Sequence, residues 1–217
     1  MAAAAPDDIA PERETPTESD DIDVDSIRLL ELRHRIKNLL GIVQAVASQT
    51  LRSGCSIDEA RKALDGRLAA MGAAVDMLLQ TGWTAAPLAD LIGRSLVHAG
   101  RRIAAEGPDL AFNADAVMAL TLVFHELESN SIKYGALSSP DGAVAIRWTV
   151  ERSGHDRLEL QWTEQGGPPC APPTRQGFGS RMIAKLIGGR FRGAAETDYR
   201  PEGLRWRLSA PLAGLLP

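Results

Sequence analysis

Apolar side chains recur at steps of three and four along the first third of the chain. Leu29, Leu32, Ile36, Leu39, Val43, Val46 and Thr50 or Leu51 form one such row, and Ile57, Ala60, Leu64, Leu68, Met71, Val75 and Leu78 form another. Each row is the stripe of an amphipathic helix. Asp25 or Ser26 would cap the first helix, Arg52-Ser53-Gly54 breaks the pattern, and the second row ends near Thr81-Gly82. Two helices of this length joined by a short turn predict an antiparallel hairpin. One hairpin leaves much of its stripe uncovered, so pairing with a second copy into a four-helix bundle is expected, or folding back on the rest of the chain.

After Gly82 the pattern is mixed. Pro87 to Val97 reads as a helix, Arg102 to Ala105 and Asp109 to Phe112 as short strands, and Ala114 to Lys133 as a long helix. Two strands alternate cleanly, with Val144, Ile146, Trp148 and Val150 on one face of the first and Leu158, Leu160 and Trp162 on the second. Opposite them lie Arg147, Thr149, Glu159 and Gln161. A loop with four prolines between Pro168 and Gln176 reads as a short stiff lid. A helix from about Phe178 to Ile187 and strands over 190–197 and 204–208 complete an α+β sandwich.

Charge changes this picture at the N-terminus. Among the first 25 residues nine are acidic and only Arg13 is basic, and almost none is large and apolar. Such a stretch buries too little surface to offset its ordering entropy, so 1–25 is expected to be a disordered acidic tail, followed by the hairpin over 26–82 and the sandwich over 83–217. The start has neither a basic segment nor an apolar core of a secretory signal, no uncharged run reaches membrane-spanning length, and the two cysteines form no C-x-x-C pair. These features predict a cytoplasmic protein without membrane insertion. No nucleic-acid partner is expected.

Three segments carry candidate chemistry. In F-H-E-L-E-S-N-S-I-K-Y-G-A-L, Glu126, Asn130, Lys133 and Tyr134 fall on one helix face. A carboxylate, an amide oxygen and an ammonium suit a triphosphate with magnesium, which takes hard oxygen ligands and keeps several waters. Asn130 would be the metal ligand, Glu126 would orient a water, and Lys133 would meet phosphate oxygens. In W-T-E-Q-G-G-P-P, Glu164 at a strand end beside Gly166 and Gly167 is placed to accept from a nucleobase amino group. In G-F-G-S-R, Gly177 and Gly179 permit close backbone approach, and the helix start at Ser180 offers amides to phosphate. Neither glycine cluster fits a Walker loop or a dinucleotide fingerprint. On the first helix, His34 lies off the apolar stripe, flanked by Arg33, Arg35 and Lys37. That positive field disfavours the imidazolium, keeping a ring nitrogen nucleophilic, and attracts an anionic donor; Asn38, one turn on, would position the ring.

Together, H-R-I-K-N, H-E-L-x-x-N-x-x-K-Y-G-A-L and W-T-E-x-G-G-P followed by G-F-G resemble the HWE group of two-component sensor histidine kinases. The resemblance implies a dimerisation and phosphoacceptor hairpin followed by a Bergerat-type ATP-binding domain, with ATP and Mg2+ as cofactors. It also implies His34 as the phosphorylated residue, Asn130 as the magnesium ligand, and Glu126, Lys133, Tyr134, Glu164, Gly166, Gly167, Gly177 and Gly179 around the nucleotide. Implied partners are a second copy in a homodimer and the receiver domain of a response regulator; no sensory module fits before Ser26, so input is expected from an upstream sensory partner, the tail or another mode of control. Arg35 stands where many such kinases have an acidic general base, which leaves Glu31, one turn back, and Glu126 as alternatives. The segment from Gly82 to Pro87 is the expected hinge. A serine/threonine kinase of the anti-sigma type would share the ATP-binding domain without needing His34, and a phosphotransfer or scaffold protein would share the architecture without turnover.

Overall fold

A computed structural model of the protein describes residues 18–51, 56–172, 187–189 and 191–217. It is α+β, with helices leading into a mixed sheet. The first helix, α1 (Glu18–Leu51), starts eight residues before the expected Ser26, inside the segment expected to be disordered. The helix opens on Glu18, with Asp20 and Asp21 in its first turn, where the macrodipole favours negative charge; composition alone overlooks that. The chain forms two compact units that divide within α1, one ending at Ala45 and the other beginning at Val46.

In the first unit, Ile27, Leu29, Leu30, Leu32, Ile36 and Leu40 are exposed. His34 and Asn38 are also exposed. Arg35 is ion-paired with Glu31 one turn back.

The second unit begins with the last turn of α1 and helix α2 (Ile57–Gln80). Ser56 caps α2, accepting from the Glu59 amide while the Glu59 carboxylate accepts from the Ser56 amide at 2.9 Å. This capping box satisfies two otherwise orphaned donors, and the Ser56 hydrogen bonds hold the Glu59 carboxyl below its ordinary range. The buried face of α2 is Ala60, Arg67, Met71, Ala74, Met77 and Leu78. Ala60, Met71 and Leu78 of the expected stripe lie on this face, whereas Ile57 and Leu68 are exposed and Arg67, a residue type that reads as surface, is buried with a partner described below.

Helix α2 packs against α3 (Leu88–Ser95) and α4 (Ala114–Tyr134). Between them the expected hinge is built into structure: Gly82 and Trp83 turn through positive φ, and β1 (Ala85–Pro87) pairs antiparallel with β3 (Ala111–Asn113). Strand β3 overlaps the short strand expected over Asp109 to Phe112, whereas β1 and its pairing were not anticipated, because three residues are too few to display an alternation. From Ala116 to Phe124, α4 is buried on all sides, as expected of a helix with no polar face there. Asn113 starts it, accepting from the Ala116 amide at 2.9 Å.

The larger sheet has the order β2-β4-β5-β7-β6, with β2 (Ile103–Glu106) parallel to β4 (Ala143–Ser153) and the other neighbours antiparallel. Strand β5 (His155–Gln165) is central, between β4 and β7 (Gly203–Pro211). Strand β2 forms one edge and β6 (Ala194–Arg200) the other, the latter starting later than the expected residue 190. Ile146, Trp148, Leu160, Trp162, Trp206 and Leu208 form the buried face, and Ile146 and Trp206 flank Trp162 in register. This alternation matches the sequence reading, because the period of two aims every second side chain inward.

Candidate functional site

The C-terminal end of α4 and the end of β5 are joined through Glu164. One carboxylate oxygen accepts from the backbone amide of Ala136 at 2.8 Å, and the other accepts from the indole Nε1 of Trp162 at 3.0 Å. Glu164 is only 3% exposed. Its orientation is therefore fixed from both sides, and a carboxylate with about four acceptor positions keeps capacity for a further donor. Trp162, which the sequence marked as core, is fully buried and also serves as a positioning donor. The W-x-E spacing makes this possible, since residues i and i+2 of a strand share a face.

Small residues let the backbone close around this carboxylate. A Cβ at Gly135 would collide with Glu164 Oε2, and one at Gly167 would collide with the Ala136 backbone. Gly166 turns through φ +73°, a conformation that a side chain disfavours. Arg102 braces the turn after α4, donating to the carbonyls of Leu137 and Ser139 at 3.1 and 3.0 Å. Gly166, Gly167 and Glu164 thus meet the end of α4. There Asn130, Lys133 and Tyr134 are exposed, Tyr134 to 75%.

Glu126 is not on that exposed surface. It is 6% exposed, and its Oε1 accepts from Nε of Arg67 on α2 at 2.8 Å. Arg67 in turn donates to the hydroxyl of Thr50 at 3.0 Å, and that hydroxyl donates to the Val46 carbonyl at 2.6 Å. Beside this network, His125 packs on Gly66 and borders a cavity of about 310 Å³ whose walls include Ala70, Ala74, Met77 and Leu91. Burial holds the His125 imidazole below its ordinary pKa of 6.5, partly opposed by the neighbouring Glu126 carboxylate. Glu128 is buried as well. It accepts from the backbone amides of His98 and Ala99 at 3.1 Å each, and so fastens the segment after α3 to α4. Neither Glu128 nor Arg67 is among the candidate site residues that the sequence offers.

Of the remaining expected site residues, Gly177 and Gly179 lie outside the described residues, as do Ser180, the latter part of the proline loop and most of the helix expected from Phe178. No group of three or more His, Cys, Asp or Glu among the described residues would hold a metal ion. A single exposed amide oxygen at Asn130 suits an ion that takes its other oxygens from phosphate and water, so the residues fit magnesium arriving with a nucleotide.

The family model described as HWE histidine kinase matches residues 31–109. The chain carries an HWE histidine kinase domain. A blue-light-activated histidine kinase of Brucella anthropi is 36% identical over 187 residues, which cover 84% of this chain and 38% of that protein. The corresponding protein of Brucella ovis is 33% identical over the same length and coverage. The chain therefore spans well under half the length of these relatives. Among solved structures, the histidine kinase domain of a blue-light-activated histidine kinase from Erythrobacter litoralis aligns over 85% of this chain and 91% of that one, with TM-score 0.59 and 16% identity. That likeness shows a shared fold. No helix among the described residues is long and apolar enough to cross a membrane.

Proposed function

We propose that the chain is an ATP-dependent protein-histidine kinase module that phosphorylates His34 and passes the phosphoryl group to an aspartate of a response-regulator receiver domain. The observation that carries this reading is the Glu164 carboxylate, fixed by Trp162 and Ala136 beside the exposed Asn130, Lys133 and Tyr134. Glu164 would accept from the amino group of adenine, Tyr134 would border the nucleotide, and Lys133 would meet phosphate oxygens. Asn130 would hold Mg2+, which supplies charge neutralisation at the phosphates when bound. Gly177 and Gly179 belong to the same proposed site by their place in the motif.

Phosphoryl transfer asks mainly for alignment and electrostatics. A lone pair on a ring nitrogen of His34 forms the N–P bond while the bond from the γ-phosphorus to the bridging oxygen breaks. ADP leaves with that electron pair, and the proton on the other ring nitrogen passes to a base. Exposure of His34 among Arg33, Arg35 and Lys37 supports its role as acceptor, and Asn38 would orient the ring. Glu31 is engaged by Arg35 and Glu126 by Arg67, so either base acts only after leaving its partner. The exposed apolar row on α1 supports pairing with a second copy, through a hairpin over 26–82 as the dimerisation element. An upstream sensory partner and a cytoplasmic setting belong to the same reading.

Incubation with γ-labelled ATP and Mg2+ tests it. Wild type is expected to take up acid-labile, alkali-stable label, and His34→Ala to take up none while still binding ATP. Acid-stable label, or label retained in His34→Ala, would instead identify a serine/threonine kinase. ATP binding without label on the chain would favour a scaffold.

A further inference from the structure

The network of Thr50, Arg67 and Glu126 joins the last turn of α1, α2 and α4 within one compact unit. Arg67 and Glu126 are 5% and 6% exposed, and their chain neighbours Gly66 and His125 border a cavity whose walls also include Ala70, Ala74 and Met77. A buried ion pair of this kind adds little net stability over an apolar replacement, whereas removing one partner leaves an uncompensated charge. Its distinctive effect is to make burial of Glu126 conditional on Arg67 staying in place. Glu126 lies one helical turn before Asn130, the proposed metal ligand, and its carboxylate is held by Arg67 of α2.

We infer that Arg67 is a positioning residue that withholds Glu126 in the resting state, an autoinhibitory contact between α2 and the nucleotide helix. This rests on the kinase reading above, with Glu126 as a proton acceptor in transfer to His34. While Arg67 Nε occupies Oε1 and α2 excludes solvent, Glu126 reaches neither a water nor an imidazole. When α2 parts from α4, the carboxylate is freed. Thr50 strengthens the closed arrangement by holding the far side of the guanidinium.

The test compares Arg67→Met, Thr50→Val and Arg67→Met/Glu126→Gln with wild type in the full chain. Initial autophosphorylation rates and ATP KM are read with γ-labelled ATP, and amide hydrogen exchange is read across α2. Arg67→Met is expected to raise the rate at saturating ATP by about tenfold, as a shifted two-state equilibrium would, with KM little changed. Exchange in α2 should quicken, and Glu126→Gln should cancel the gain in rate. Thr50→Val, which keeps the side-chain shape, should move rate and exchange the same way by less, and it carries the test if Arg67→Met does not fold. A lower rate in Arg67→Met or Thr50→Val with unchanged exchange would overturn the inference, since Arg67 would then support Glu126. Unchanged rate and exchange would reduce the pair to packing. Absence of label from every chain, wild type included, would count against the kinase reading, whereas unchanged exchange in labelled chains counts against the contact alone.

Discussion

At the scale of single residues, Trp162 couples the core to the site. Its indole is sealed inside the sheet face, yet its N–H is what holds one oxygen of Glu164. Trp162→Phe keeps most of the apolar ring and removes the donor, leaving a buried carboxylate oxygen short of a partner. A loss of about 1–3 kcal/mol in denaturant unfolding is expected, together with weaker ATP binding by titration calorimetry. Unchanged nucleotide affinity would show that Glu164 needs no such support. The sequence made the carboxylate visible through the W-T-E-x-G-G-P segment, and strand alternation aimed it inward. It did not reveal the two donors that fix it, because the Ala136 amide becomes a neighbour only when the turn after α4 closes on β5. Arg67 was hidden for a different reason: nothing local distinguishes a buried arginine from a solvated one until the carboxylate opposite, 59 positions along the chain, is known.

At the scale of elements, length decided what was legible. The two eleven-residue strands and the twenty-one-residue α4 express their periods several times over, and their limits were read to within a few positions. Three-residue β1 expresses none and was missed, and β3 was met only by an overlapping strand expected over Asp109 to Phe112. Helix α2 illustrates a boundary that local chemistry does fix. Ser56 and Glu59 satisfy each other's backbone donors, so Ser56→Ala should cost about 1 kcal/mol in thermal or urea unfolding. Because α2 also carries Arg67, fraying at this cap should speed amide exchange along its first turns. Glu59→Gln, which keeps a side-chain acceptor, should lose less.

At the scale of the whole molecule, the half-buried imidazole of His125 ties stability to pH. Its proton affinity is lowered in the folded chain, chiefly by desolvation, so between its ordinary value of 6.5 and the lower folded value the unfolded chain binds more protons. Stability therefore rises with pH across that window: it is complete above 6.5 and declines as pH falls from 6.5 toward the folded value. Urea unfolding at about pH 7 and about pH 5.5 should show this loss, and His125→Gln should flatten it. An equal slope in the variant would place the acid sensitivity elsewhere.

The small residues where α2 meets α4 carry a mechanical consequence. Gly66, Ala70 and Ala74 raise no tall ridges, and the adjoining void of about 310 Å³ leaves room on one side. Helices locked by interdigitated leucines must be pried apart before they shift, whereas a wall of methyl groups lets one glide over the other. Met71, Met77 and Leu78 still anchor the rest of that face, so the Arg67–Glu126 pair acts as a charged latch set beside a smooth stretch, and competition for one guanidinium would loosen the smooth part first.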